Sequence, residues 1–177
     1  MKTVEFMKKM KHSPISNYGG IPGVTSWLIG EPGEHGLVRL MECEREHQEP
    51  IIPHSHRFDF QCMVLAGSVR NLIWVKSLGG DEFRSTTLRY AGAAGKYSRE
   101  VGEVARWSTC TRNYKAGEEY GMKSDEVHSI FFARNTSVLF FEGPQVRDTS
   151  IILEPFVDGE ALPTFKVEPW MFKRAAS

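Results

Sequence analysis

The stretch Pro53-His54-Ser55-His56-Arg57-Phe58-Asp59-Phe60-Gln61-Cys62-Met63-Val64-Leu65-Ala66-Gly67 carries the pattern from which the fold is read. His54 and His56 are two apart, so on an extended backbone both side chains leave one face while Ser55 points away. An apolar run, Met63-Val64-Leu65, follows, and Ala66-Gly67 breaks the chain before a second run at Val69–Lys76. The unit is a strand, a tight turn and another strand, with two imidazoles at one end.

The same rhythm extends in both directions. Short runs rich in β-branched and aromatic residues predict strands at Val24–Ile29, Leu37–Arg45, His54–Leu65, Val69–Lys76, Phe83–Tyr90, Val104–Asn113, Val127–Ala133, Val138–Glu142 and Ser150–Leu153. Glycine-containing breaks separate them, among them Leu78-Gly79-Gly80-Asp81, Gly92-Ala93-Ala94-Gly95 and Ala116-Gly117. These breaks read as turns, because none has a phosphate-loop pattern between a strand and a helix. A short turn at Val4–Lys11 is the one place with helical periodicity, so the expected class is all-β, a sandwich or barrel of antiparallel strands.

With 177 residues, 41% hydrophobic and 25% charged, the chain predicts a single domain over residues 1–177 with a core at about 24–153. Residues 154–177 read as an irregular extension: Pro155, Pro163 and Pro169 forbid one regular element, and Phe156, Phe165, Trp170 and Phe172 predict packing onto the surface or onto a partner subunit. Lys+Arg and Asp+Glu both total 22, which argues against nucleic acid and against a basic membrane-binding face. No apolar run approaches the ~18 residues of a membrane span, and the lysine-interrupted start lacks a secretory apolar region. Three cysteines without a CxxC pair argue against disulfides and a cysteine zinc site, and a cytoplasmic location follows as the expectation.

A third histidine, His128, lies in Asp125-Glu126-Val127-His128-Ser129-Ile130-Phe131-Phe132. Imidazoles from distant strands of a barrel can converge on one metal ion; alternatively His54 and His56 are polar residues at a strand entrance and His128 a hydrogen-bonded core histidine. Arg39 shares a strand face with Leu37, Met41 and Cys43. It is either a buried cation able to hold a substrate carboxylate or, as is commoner for arginine, a surface residue lying over apolar neighbours. Glu126, two before His128, is a candidate fourth ligand or general base, or a surface carboxylate at a strand end. Asp59 falls on the face opposite the histidines and reads as structural, and Cys62 falls on their face as a small buried residue.

The chain resembles the cupin superfamily of small β-barrels, whose first motif is built on Gly, His-x-His, Glu and Gly, and whose second is built on Gly, Pro-x-Gly, His and Asn. His54, His56 and Gly67 fall in place in the first motif, and Gly117 and His128 in the second; Gln48 stands for the leading Gly, and Lys123, Asp125 and Phe132 for the second motif's Pro, Gly and Asn. The motif's glutamate falls on Phe60 or Gln61, so the resemblance implies a site of three neutral imidazoles, His54, His56 and His128. That pattern is similar to three-histidine, cysteine-dioxygenase-like cupins. The likeness extends through Val138-Leu139-Phe140-Phe141-Glu142-Gly143-Pro144-Gln145-Val146-Arg147 and covers about residues 37–147.

The resemblance implies a single cupin-type antiparallel β-barrel, or jelly roll, and a homodimer. It also implies a mononuclear non-haem iron dioxygenase acting on a small anionic or thiol-bearing molecule. Iron(II) suits imidazole ligands with open positions; zinc, nickel, manganese and copper also bind imidazole. The alternatives are a metal-dependent isomerase, hydrolase or lyase on the same barrel, and a ligand-binding cupin without turnover.

Overall fold

The computed structural model describes residues 14–18, 21–33, 36–47, 52–90 and 97–156. Ten strands follow in order: β1 (Ile15–Ser16), β2 (Val24–Gly33), β3 (Gly36–Cys43), β4 (Phe58–Ala66), β5 (Ser68–Tyr90), β6 (Tyr97–Lys115), β7 (Glu119–Met122), β8 (Val127–Phe132), β9 (Thr136–Gln145) and β10 (Thr149–Pro155). One sheet runs β1-β2-β3-β9-β4-β7. The other runs β10-β5-β6, with β8 also paired to β5, and every pairing is antiparallel. β1 to β4 lie in the first sheet, and from β6 to β10 successive strands cross between the two, giving the double-sheet jelly roll expected from the sequence. Among the described residues there is no α-helix.

Alternation builds the core between the sheets. Met41 and Cys43 of β3, Phe60, Cys62 and Val64 of β4, and Val138 and Phe140 of β9 point inward from one sheet. Val69 of β5 and Ile130 and Phe132 of β8 meet them from the other. Val64, Val69 and Val138 are almost wholly buried, each worth about 1.5–3 kcal/mol in removal from water. Gly67 turns β4 into β5 at φ +72°, and a Cβ there would lie 2.4 Å from Thr136 Oγ1. Glycine is therefore required both for the backbone and for the space.

Several expectations need correction. Val69–Lys76 and Phe83–Tyr90 belong to one strand, because both flanks pair with β6; Lys76 and Asp81 both oppose Trp107, and Ser77–Gly80 bulge out between them. The two halves of β5 then have different neighbours, β8 on the first and β10 on the second. Trp74 and Phe83, one from each half, meet edge to face at 4.8 Å in a second core with Trp107, Val127 and Leu153. Strand β7 was not expected, since four residues give too short an alternation to read, yet Tyr120 and Met122 are buried from it. His54-Ser55-His56 precede β4 instead of lying within it. The Val4–Lys11 turn, the Gly92–Gly95 turn and the extension beyond Phe156 lie outside the described residues.

Cys43 and Cys62 are buried and Cys110 is exposed. Burial pushes the Cys62 thiol up to about 11, with the Tyr120 hydroxyl offsetting a little. At pH 8 roughly one Cys62 in a thousand would be thiolate. Ellman's reagent should titrate one thiol in the native protein and three in denaturant; rapid labelling of a second native thiol would contradict this packing.

Candidate metal centre

The histidines are placed by backbone ladders before any side-chain contact. His54 N–H donates to the His128 carbonyl and His128 N–H to the His54 carbonyl, both at 2.9 Å. On the other side Ser55 N–H donates to Ile151 O at 2.8 Å and Leu153 N–H to Pro53 O at 2.9 Å. The His54 segment is thus clasped between β8 and β10, and His54 and His128, directly opposite, point to the same face.

His56 completes the cluster. The ring centroids are 4.8 Å apart for His54 and His56, 4.9 Å for His54 and His128, and 5.1 Å for His56 and His128. One ligand atom from each lies within 4.8 Å of the others, so the group could hold one metal ion. His54 Nδ1–H donates to Ile52 O at 2.8 Å, and His128 Nδ1–H to Asn71 Oδ1 at 2.8 Å. Both donations leave Nε2 for the interior, the arrangement a metal-binding imidazole needs. His56 Nε2 is 2.9 Å from His128 Nε2. Since His128 carries its hydrogen on Nδ1, His56 is the donor of that contact.

His128 is buried and His54 and His56 are half-buried, and removal from water depresses all three. It is the main cause for His54, with the Ile52 carbonyl opposing it, and it pushes His56 and His128 well below the usual range, helped by their histidine neighbours. Neutral imidazoles are the form that binds metal. The sign for stability follows: below about pH 6.5 the unfolded chain takes up protons before the folded one. Stability is fully present above that value and lost as the pH falls towards the lower folded values. With chelator present, the urea midpoint should drop between pH 7.5 and pH 5.5, before ordinary carboxylates titrate; an unchanged midpoint would contradict burial of neutral histidines.

Arg39 is the buried cation of the two readings, with 1% of its surface exposed. It sits on β3 opposite Leu28 and Phe140, and its guanidinium lies 4.9 Å from the Tyr18 ring centroid. Among the described residues its Nε has no hydrogen-bond partner and it forms no salt bridge. Burial raises the Tyr18 hydroxyl, the Arg39 charge lowers it in part, and the Glu142 carboxylate raises it, which places all three groups in one neighbourhood. Phe140 and Phe60, with ring centroids 4.9 Å apart, line the interior from Arg39 towards the histidines, and Phe60 is 4.9 Å from His56.

Phe60 therefore occupies the inward position of the missing glutamate, while Gln61 is exposed on the other face. Glu126 is not brought to the histidines. It is exposed in the turn before β8, where its Oε2 accepts the Lys123 N–H at 2.6 Å. Strand alternation begins only at Val127, so parity with His128 does not extend to it. Asp59 is structural: its carboxylate accepts from Ser124 N–H and Lys123 Nζ, both at 2.8 Å, and these donors hold it below the usual carboxylate range. Cys62 is buried opposite Tyr120. Asn71 and Tyr18 were not singled out by sequence; Asn71 had a signal, a polar residue at an inward position between Val69 and Ile73.

Known proteins resemble the chain in shape only. An RmlC-like cupin from Shewanella frigidimarina has 11% identity over 77% of this chain and 87% of its own, with a TM-score of 0.44. KdgF from a Halomonas species has 12% identity over 76% and 90%, with 0.43, and an oxalate decarboxylase from Lactobacillus farciminis has 11% over 83% and 32%, with 0.45. No family model and no curated protein matches the chain. At these identities the jelly-roll assignment rests on the strand order itself. No helix among the described residues is long and apolar enough to cross a membrane.

Proposed function

We propose that the protein is a metal-dependent cupin, a mononuclear non-haem iron dioxygenase acting on a small anionic or thiol-bearing molecule. The observation that carries the reading is the convergence of three neutral imidazoles with Phe60, not a carboxylate, at the fourth inward position. Bound iron(II) would keep its full positive charge there and supply open positions for substrate and dioxygen.

The chain's own residues support the rest. Arg39, buried with an unpartnered Nε, would hold an anionic group of the substrate, and a guanidinium can do so through two parallel bonds. Phe60 and Phe140 would pack on the body of the molecule and exclude water from the space between. The Tyr18 hydroxyl keeps its proton at neutral pH and would donate a hydrogen bond. In dioxygenation both oxygen atoms enter the organic product and the substrate supplies the electrons, so no reductant-binding partner is required.

The test is elemental analysis of protein purified without chelator or nickel resin, followed by iron reconstitution and oxygen uptake with thiol carboxylates, diketones and aromatic hydroxy acids. Uptake with at least one anionic class is expected. An iron-loaded protein that binds these anions yet never consumes oxygen would overturn the dioxygenase reading.

A further inference from the structure

Of the two histidines whose Nδ1 partner is seen, His54 is oriented by a backbone carbonyl, which no substitution removes. His128 is oriented by a side chain. Asn71, 1% exposed on β5, accepts the His128 Nδ1–H through Oδ1 at 2.8 Å, and its Nδ2 donates to Met122 Sδ at 3.3 Å. A carboxamide can present either its oxygen or its nitrogen to a neighbour, and with nitrogen towards the ring His128 would have to accept at Nδ1 and carry its hydrogen on Nε2. A thioether has no hydrogen to give, so Met122 can only accept. It therefore turns Nδ2 towards itself and Oδ1 towards the histidine.

We infer that Asn71, held in one amide orientation by Met122, is the positioning residue that keeps His128 Nε2 free of hydrogen and aimed at the point shared with His54 and His56. The inference rests on the metal reading above and deepens it. An aspartate at position 71 would also accept the Nδ1–H, but it would bring a negative charge to the back of the ligand. Asparagine supplies the acceptor without the charge. The centre therefore keeps the electrophilicity that three neutral ligands and Phe60 leave it, which favours binding of an anionic substrate.

Two readouts separate this role from a contribution to packing. Long-range proton–nitrogen NMR of the metal-free protein reports the histidine tautomers, and titration with cobalt(II), whose absorption reports coordination, gives the affinity. The wild type should show His128 with hydrogen on Nδ1 only. Asn71→Leu should give mixed tautomers and about 10–100-fold weaker cobalt binding. Asn71→Asp should restore the single tautomer and tight binding, and should shift the cobalt spectrum through its added charge.

Met122→Leu leaves the amide free to turn. It should also give mixed tautomers, and it serves where Asn71→Leu does not fold. A wild-type His128 protonated on Nε2, wild-type tautomer and affinity in Asn71→Leu, or a single unchanged tautomer in Met122→Leu would each overturn the inference. If the wild type bound no cobalt, the metal reading would fall, and the nitrogen shifts of His128 would still decide the positioning.

Discussion

Replacing Arg39 by methionine is expected to make the protein more stable and far less able to use an anionic substrate. A buried guanidinium with no ion pair among the described residues carries a desolvation cost that methionine of similar length removes. Replacement of whole buried ion pairs by apolar residues of similar size is often neutral or stabilising by about 1–4 kcal/mol, and Arg39 carries the same desolvation cost, offset among the described residues only by its contact with the Tyr18 ring. Removing one partner of a buried, hydrogen-bonded charge pair costs about 2–5 kcal/mol, so kcat/KM for an anionic substrate should fall from roughly 30-fold to several thousand-fold. Added 3-mercaptopropionate should raise the thermal midpoint of the wild type and leave that of Arg39→Met unmoved. A variant that lost stability and kept its response to the carboxylate would place Arg39 among structural residues.

The larger effect on the metal itself belongs to His128→Ala. Two imidazoles would remain, and Asn71 would lose its hydrogen-bond donor in a buried site. The loss of metal affinity should exceed the roughly 100-fold that removal of an outer partner can cost. Elemental analysis after dialysis should find little metal, and oxygen uptake should vanish with it. Glu126→Ala is the comparison: its carboxylate bonds a turn amide away from the cluster, so metal content and uptake should match the wild type. Full metal retention in His128→Ala would mean that the ion sits elsewhere.

The sequence was most informative where alternation and burial reinforce each other. On β3 the shared parity of Leu37, Arg39, Met41 and Cys43 is the buried face, so placing Arg39 inward required only that the face be chosen correctly. Local pattern failed where pairing overrides it. Ser77–Gly80 look like the end of a strand, yet β6 pairs with the chain on both sides and carries the ladder past them. Parity with His128 does not carry Glu126 to the cluster, because position 126 lies in the turn before β8. Phe60 and Gln61 could not be told apart by counting residues, because only the faces of β4 decide which of them lies inside. Asn71 and Met122, far apart in the chain, become neighbours only through the fold, and no spacing rule links them.

The clasp of His54 between β8 and β10 has a kinetic consequence. Its bonds join stretches very distant along the chain: Ser55 and Ile151, bonded through both main chain and hydroxyl, are 96 positions apart, and His56 and His128 are 72 apart. Such closures cost loop entropy before they return any contact energy, so they are expected to form late and to slow folding. An ion held by His54, His56 and His128 would bind only after this late closure, and would therefore act chiefly by retarding its reopening. Metal removal would then shorten the native lifetime far more than it alters the rate of refolding, and the metal-free protein would be the form exposed to proteolysis.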